Sequence, residues 1–403
     1  MAVYEYEAKQ LNGTVLKGKM EALDDRTVRT ILRNKHLFPV VVKEYSKYSN
    51  IDLSQFQKVT LKDLTIFCNQ FSFIISAGIS IMRALEIVKE QIENKKLSKI
   101  LSLTNDDVQK GKTFSEALGK HKDIPQMLIN MIEVGETSGT LDTILEKMAA
   151  YYEKELKQQQ KVKSALTYPA VICVVAILVV NLLVIKVLPT FAGMITQSGG
   201  GELPLPTKIV MGLSGFMINY WMVIVVAVIL ISIGFKKYAT TYSGKILFDR
   251  LKMNMPILGK IYNKIVTARF ARTFGILMGC GVPLLESISI CANVVGNTIV
   301  KNKLISCSEE IKKGGSIGIA LEERKVFPVM LTQMIKIGEE SGTLDQVLQK
   351  TAEFYDNEID NTTSQLTAMI EPLIIVVLGV VVGFIIISML LPMFQMYDAV
   401  GKQ

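Results

Sequence analysis

The stretch that decides the fold occurs twice in the chain. Residues 135–142 read Gly-Glu-Thr-Ser-Gly-Thr-Leu-Asp, and residues 338–345 read Gly-Glu-Glu-Ser-Gly-Thr-Leu-Asp. Sliding the chain on itself by the 203 residues between them aligns 67–191 with 270–394 without a gap, and 36 of these 125 positions are identical. An ungapped match of this length indicates a duplication, so we predict two copies of one fold.

The apolar residues inside each copy recur at helical spacing. Phe67 and Phe71 belong to one such stripe, which Thr60 and Asp63 would open as a capping box and Gly78 would end. Similar capping boxes begin at 113 and 343, and strand-like alternation is nearly absent after residue 50. Several amphipathic helices per copy predict an all-α fold built from two duplicated helical bundles.

Three long runs contain no charged residue, at 164–185, 209–235 and 372–397. Each exceeds the roughly 20 apolar residues that a helix needs to cross a bilayer. They explain how a chain of 403 residues is 49% hydrophobic while 20% of it is charged. The sequence therefore predicts a polytopic membrane protein with three transmembrane helices.

Prolines bracket two of these spans. Pro169 and Pro189, and then Pro372 and Pro392, are 20 residues apart in each copy, which is about 30 Å of helix. No strong breaker precedes Pro169 or Pro372 for some 25 residues. We therefore expect the last helix of each bundle to continue into its span as a stalk, with the first proline at a helix start or at a tolerated kink.

The basic residues orient the chain. Residues 1–167 and 236–370 hold 42 of the 45 lysines and arginines, so the positive-inside rule places both regions in the cytoplasm. The excess positive charge is divided evenly between them without an aromatic-lined stripe, which favours a surface beside anionic lipid over nucleic-acid binding.

The N-terminal residues differ from the rest. Residues 3–6 and 15–16 predict a hairpin around Asn12-Gly13, followed by a helix at 24–34 and a strand at 39–42, and no cleavable signal peptide is expected. The predicted organisation is a small α/β domain (1–45), a linker (46–59), the first bundle and stalk (60–166), a first span (167–190), an extracytoplasmic loop (191–208), a second span (209–235), a cytoplasmic linker (236–262), the second bundle and stalk (263–369), a third span (370–397) and an extracytoplasmic tail (398–403).

The repeated motif has a structural and a functional interpretation. Structurally, Gly135 and Gly338 would end a helix with positive φ, a Ser or Thr would cap the next helix, and Asp142 and Asp345 would favour its N-terminal dipole. Functionally, the carboxylates would face a basic partner or a cation, although Ca²⁺ needs four or more further oxygens that the sequence does not identify. The candidate residues are Glu136, Ser138, Gly139, Leu141, Asp142, Glu339, Ser341, Gly342, Leu344 and Asp345.

The sequence offers no pattern for catalysis. His36 and His121 belong to no motif, and the five cysteines are scattered, which predicts free thiols. The run Gly111-Lys-Thr113 lacks the first glycine of a P-loop, so we interpret it as a helix end followed by a helix cap. The spans contain no Asp, Glu or Arg, which disfavours a transporter. No cofactor or metal is predicted.

The duplicated motif, the run Lys161-Val-Lys-Ser-Ala-Leu-Thr-Tyr168-Pro169 that leads into the first span, and the proline spacing together resemble the PilC/GspF family. The likeness extends over nearly the whole chain, including Tyr4-Glu-Tyr6-Glu-Ala8. One departure is Glu371-Pro372 where the first copy has Tyr168-Pro169.

The resemblance implies a non-enzymatic platform in the bacterial cytoplasmic (inner) membrane. It implies that the protein couples a hexameric cytoplasmic assembly ATPase, and a retraction ATPase where one exists, to the insertion or extraction of pilins. It also implies contact with other inner-membrane pilus proteins and a homo-oligomer. We favour a type IV pilus machine. Type II secretion and a competence pseudopilus remain alternatives, and a transporter subunit is a weaker one.

Overall fold

The structure, a computed structural model, describes residues 2–9, 15–22, 24–35, 37–44, 57–187, 189–190, 193, 204–256 and 258–400. The chain divides into two units, which are treated separately. One comprises Met1–Val59 with Glu93–Lys99, and the other comprises Thr60–Ile92 with Ile100–Gln403. Some of the predicted features lie outside the described residues. They are His36, the Asn12-Gly13 turn, most of the linker predicted at 46–59, most of the loop predicted at 191–208, and residues 401–403.

The N-terminal residues form a three-stranded antiparallel sheet with one helix. Strands β1 (Ala2–Lys9), β2 (Val15–Ala22) and β3 (Phe38–Glu44) have the order β2-β1-β3, and α1 (Asp25–Asn34) connects β2 to β3. A small apolar core lies between the helix and the sheet, formed by Ala8, Ala22, Val28 and Leu32. The predicted hairpin, helix and final strand are confirmed.

The first copy is a bundle of short helices followed by one long helix. Its elements are α2 (Leu61–Ser76), α3 (Ile81–Gln91), α4 (Lys95–Gln109), α5 (Phe114–Gly119), α6 (Gln126–Ser138) and α7 (Leu141–Leu182), and a π-helical turn (Leu183–Val187) follows α7.

Helices α8 (Leu205–Thr240) and α9 (Tyr242–Asn254) lie between the copies. The second copy then repeats the helices of the first as α10 (Leu258–Gly279), α11 (Leu284–Val294), α12 (Thr298–Ile311), α13 (Ile317–Glu323), α14 (Val329–Ser341) and α15 (Leu344–Val400). Helices α3 and α6 recur as α11 and α14 with both ends shifted by 203 residues, as the duplication predicts. The interval 236–262, predicted as a linker, contains α9 and the start of α10.

The helix signals read from the sequence act as predicted at several positions. Thr60 and Asp63 form a reciprocal capping box at α2, and Gly78 and Gly111 have φ of +80° and +91°. Thr113 caps α5, since its hydroxyl accepts from the Glu116 amide at 3.2 Å. The Gly-Lys-Thr run therefore forms a helix end and a helix start.

Packed phenylalanine rings lie in the core of each bundle. The ring centroids of Phe67 and Phe71 are 5.5 Å apart, and those of Phe71 and Phe114 are 5.0 Å apart. In the second copy Phe270 packs on Phe274 at 5.4 Å. The stripe read from the sequence is therefore the side of α2, and of its counterpart α10, that faces the core.

The prediction of stalks continuous with the spans is confirmed. Helix α7 passes through Pro169, and α15 passes through Pro372 and Pro392 without ending. Pro189 also has helical backbone, beyond the π-helical turn. Within the part of the chain that the structure describes, three helices are long and apolar enough to cross a membrane, in the segments Leu141–Val187, Asn219–Thr240 and Leu344–Leu391.

The π-helical turn after α7, the first part of α8 and α15 contact one another. Val184, Val210 and Ile385 form a small buried cluster there. The Ser214 hydroxyl donates to the Val184 carbonyl at 2.9 Å, and the Thr207 hydroxyl donates to the Ser388 carbonyl at 2.5 Å. Hydrogen bonds of this kind join helices where the surrounding solvent is apolar.

Helix α8 departs from helical backbone angles at Tyr220.

Candidate interaction sites at the repeated turns and between the copies

Each repeated motif forms the turn between the last short helix and the long helix of its copy. Gly139 ends α6 with φ of +71°, and Gly342 ends α14 with φ of +69°. The prediction that Gly135 and Gly338 supply these positive φ angles is therefore wrong. The helices continue one turn further, because the second glycine of the motif adopts the left-handed conformation that ends a helix.

Gly135 and Gly338 have a different role, which is to let the long helix approach the short one. A Cβ at Gly135 would lie 3.0 Å from the Cα of Leu141, and a Cβ at Gly338 would lie 2.9 Å from the Cα of Leu344. Both leucines are buried. The first glycine of the motif is thus required by backbone packing across the turn.

The glutamate of each motif caps a neighbouring helix within its own bundle. The Glu136 carboxylate accepts from the Phe114 amide at 2.6 Å, and from the amide and hydroxyl of Ser115 at 2.8 and 2.6 Å. In the second copy the Glu339 carboxylate accepts from the Ser316 hydroxyl (2.7 Å) and the amides of Ile317 (3.1 Å) and Gly318 (3.3 Å). An anionic acceptor at a helix N-terminus satisfies unpaired amides and complements the helix dipole.

Replacing Glu136 by glutamine is expected to lower the free energy of unfolding by about 1–2 kcal/mol, because the cap loses its charge and one of its acceptors. Urea unfolding of the full chain in detergent, followed by circular dichroism at 222 nm, measures the change. Glu133→Gln is the matched control, since Glu133 is exposed on the same helix, and it should stay within about 0.5 kcal/mol of the parent. Equal effects of the two substitutions would contradict the capping role.

The other motif residues divide into packed and exposed positions. Ser138 and Ser341 are exposed, and their hydroxyls bond those of Thr140 and Thr343 at 2.6 and 2.7 Å. Asp142 and Asp345 stand in the first turn of their helices, as predicted for the dipole. Among the described residues, no group of three or more His, Cys, Asp or Glu side chains is placed to hold a metal ion.

A buried ion-pair cluster joins the two copies, and sequence reasoning did not predict it. Glu155 on α7 accepts from Arg269 at 2.8 and 3.1 Å and from Arg272 at 3.1 Å, both on α10. Arg272 also donates to Asp356 on α15. The Glu155 side chain is only 5% exposed. Burial by itself would lower the pKa of Arg269. The charge of the Glu155 carboxylate and its hydrogen bonds with Arg269 act in the opposite direction and raise that pKa above its ordinary value, so this guanidinium stays charged.

The two long helices are also joined along their length. Lys154 lies 3.3 Å from Asp356, and Lys161 pairs with Asp360 closer to the membrane. Lys161 was predicted only as part of the motif at which the chain enters the first span. Its ammonium therefore connects one stalk to the other, while Tyr168 at the same end of α7 is exposed.

Two cavities lie beside this cluster, between the copies. One of about 550 Å³ is lined by residues that include Tyr151, Glu155, Arg269 and Asn293. The other, of about 360 Å³, is lined by residues that include Lys147, Arg272, Ile276 and Asp345. The contact between the copies is therefore incompletely packed on both sides of the ion-pair cluster, along α7.

One signal in the sequence pointed to this interface. Arg269 and Arg272 correspond to Ile66 and Asn69 in the first copy, so these two positive charges of α10 have uncharged counterparts on α2. Charges confined to one copy mark a surface that the other copy does not share. The partner, Glu155, gave no signal, because glutamate also stands at the equivalent position 358.

Comparison with known proteins agrees with this architecture. Residues 67–189 and 270–392 each match the family "Type II secretion system (T2SS), protein F", and residues 1–43 match its N-terminal domain. The chain is 36% identical to a type IV pilus assembly protein PilC of Thermus thermophilus over the full length of both, and 37% identical to PilC of Myxococcus xanthus over 99% of this chain and 96% of that one. It is 30% identical to type II secretion system protein F of Vibrio cholerae over the full length of both. The duplicated bundles, the three apolar helices and these full-length matches place this membrane protein in the type II secretion system protein F family, together with the PilC proteins.

Proposed function

We propose that this protein is the inner-membrane platform of a type IV pilus machine and has no catalytic activity of its own. The observation that carries the proposal is the higher full-length identity to PilC proteins, at 36 and 37%, than to the secretion protein F of Vibrio cholerae, at 30%. A secretion or competence pseudopilus platform is the second candidate, because members of both groups align over the full chain.

The geometry supports a role for this protein in transmitting motion from its helical bundles to the membrane. Helix α7 and helix α15 each run from a bundle into an apolar segment without interruption. The Glu155 cluster and the Lys161–Asp360 pair join these two helices outside the charge-free runs. A partner that displaces one bundle would thereby move both stalks, and the displacement would reach the membrane.

The proposed topology follows the distribution of positive charge. The N-terminus and both bundles lie in the cytoplasm, 191–208 and the C-terminal tail lie outside, and the domain limits are those predicted from the sequence. This arrangement presents the bundles to a hexameric assembly ATPase, or to a retraction ATPase. It also presents the spans to pilins, to other inner-membrane pilus proteins and to a second copy of the chain.

Deleting the gene in its own bacterium is expected to abolish surface pili while leaving the secretion of folded exoproteins unchanged. Because the proposed role is assembly rather than synthesis, pilin should accumulate in the membrane at normal abundance. Electron microscopy, immunoblots of membrane pilin and assays of exoprotein in the medium measure these outcomes, with the intact gene restored as the control. Normal pili with lost exoprotein secretion would replace the pilus proposal by the secretion one.

We propose that the exposed rims of the two repeated turns contact the ATPase. Glu136 and Glu339 already cap helices, so charge reversal there would test folding instead of docking. Thr137 and Glu340, at equivalent exposed positions next to them, suit a photo-crosslinking amino acid. Crosslinking from these two positions should capture the ATPase, whereas the exposed Ile305 on α12 should not. An ATPase that co-purifies with the chain but crosslinks from neither turn would contradict this assignment.

A further inference from the structure

The two copies contact each other through different surfaces. The first copy contributes one side of α7, here called the insert face, which carries Lys147, Tyr151, Lys154, Glu155 and Lys161. The second copy contributes a groove between α10 and α15, which carries Arg269, Arg272, Ile276, Asp356 and Asp360. An interface between two different surfaces of one fold is heterologous, and each copy keeps one surface that this contact does not use.

The duplication identifies the unused surfaces residue by residue. The groove of the first copy carries Ile66, Asn69, Phe73, Glu153 and Lys157, and the insert face of the second copy carries Lys350, Phe354, Asn357, Glu358 and Ser364. Each number differs by 203 from its counterpart in the contact between the copies.

Both unused surfaces expose an aromatic ring where the contact between the copies has a covered side chain. Phe354 is 43% exposed, whereas its counterpart Tyr151 is 5% exposed. Phe73 is 80% exposed, and its counterpart Ile276 is partly buried in the wall of the cavity that Tyr151 also lines. Aromatic residues, phenylalanine included, are enriched at protein interfaces relative to the rest of the surface.

Three polar pairs of the contact between the copies keep polar counterparts on the two surfaces, whereas Arg269 is replaced by Ile66. Lys154 and Asp356 form an ion pair between the copies, and their counterparts on the unused surfaces are Asn357 and Glu153. An amide donor would therefore face a carboxylate.

The contact of Glu155 with Arg272 becomes Glu358 facing Asn69, and the Lys161–Asp360 pair becomes Ser364 facing Lys157. None of these three positions brings like charges together. Because each ion pair is replaced by a hydrogen bond between one charged and one neutral side chain, the contact would be weaker than the one within the chain.

We infer that the groove of the first copy, centred on Phe73, binds the insert face of the second copy, centred on Phe354, of another molecule of this protein. The inference rests on the homo-oligomer included in the proposed function and identifies the surface that forms it. Because the contact is heterologous, successive molecules would form a closed ring or an open chain.

Photo-crosslinking in full-length protein tests this contact. A benzoylphenylalanine at position 73, in native membranes, should give a covalent dimer whose crosslinked peptide lies within 350–364. Phe354→Glu should lower the dimer yield by at least about tenfold, the loss expected for a central aromatic contact. Phe354→Tyr should preserve the yield, since tyrosine occupies the counterpart position 151. Equal helix content by circular dichroism in both variants excludes misfolding as the cause.

The contrary results are distinguishable. A chain that is oligomeric by light scattering, but whose residue 73 crosslinks outside 350–364, would overturn this surface and leave the homo-oligomer standing. A monomer in membranes would overturn both. A crosslink from residue 73 to a different protein would assign the groove to that partner and overturn the inference, whereas the platform function is tested separately by the deletion strain.

Discussion

Replacing Glu155 by alanine is expected to lower the free energy of unfolding by about 3–5 kcal/mol, the largest effect anticipated for a single polar substitution in this chain. The substitution removes the carboxylate that receives both Arg269 and Arg272. Their side chains are 22 and 11% exposed, so water cannot fully replace the lost partner. Arg272 would retain Asp356, but Arg269 would be left partly buried without its carboxylate.

Urea unfolding of the full chain in detergent measures this loss. Glu153→Ala is the matched control, because Glu153 lies on the same helix and pairs with Lys157 at 2.6 Å with both side chains largely exposed. An exposed pair of this kind contributes about 0–1 kcal/mol. A Glu155→Ala variant no less stable than Glu153→Ala would show that the cluster does not hold the copies together.

The double substitution of Gly135 and Gly338 by alanine is expected to lower the free energy of unfolding by about 2–4 kcal/mol, with similar shares from the two copies. In a helix alanine is ordinarily favoured over glycine by about 1 kcal/mol. At these positions the added Cβ would instead lie within 3.0 Å of a leucine Cα. The backbone of the long helix must therefore move away from the short helix and loosen the base of its stalk.

Gly119→Ala provides the matched control. Gly119 is also helical, and a Cβ there would meet only the Ile129 side chain at 3.7 Å, an ordinary contact. The Gly119→Ala substitution should leave the free energy of unfolding unchanged or raise it slightly. The same urea titration in detergent compares the variants, and a double variant as stable as Gly119→Ala would show that the close approach of the helices is not needed.

Local signals were sufficient for most of the secondary structure. The capping box at Thr60, the helix ends at Gly78 and Gly111, and the hairpin of the N-terminal sheet each depend on residues close together in the chain. The long stalks were also predictable, because the absence of breakers and the charge-free runs are properties of one continuous helix. Where the prediction was wrong, at Gly135 and Gly338, two glycines in one motif competed for the same turn.

The sequence by itself determined that this protein is a duplicated helical fold with three apolar spans, because repetition, periodicity and missing charge are each visible in one dimension. Only the tertiary structure decided which residues join the copies. Glu155 meets arginines 114 and 117 residues away along the chain, and Glu136 caps a helix that starts 22 residues before it. A carboxylate looks the same in sequence whether it faces water, a helix end or a guanidinium. Its role is fixed by the packing that removes its water and by the partner that replaces it.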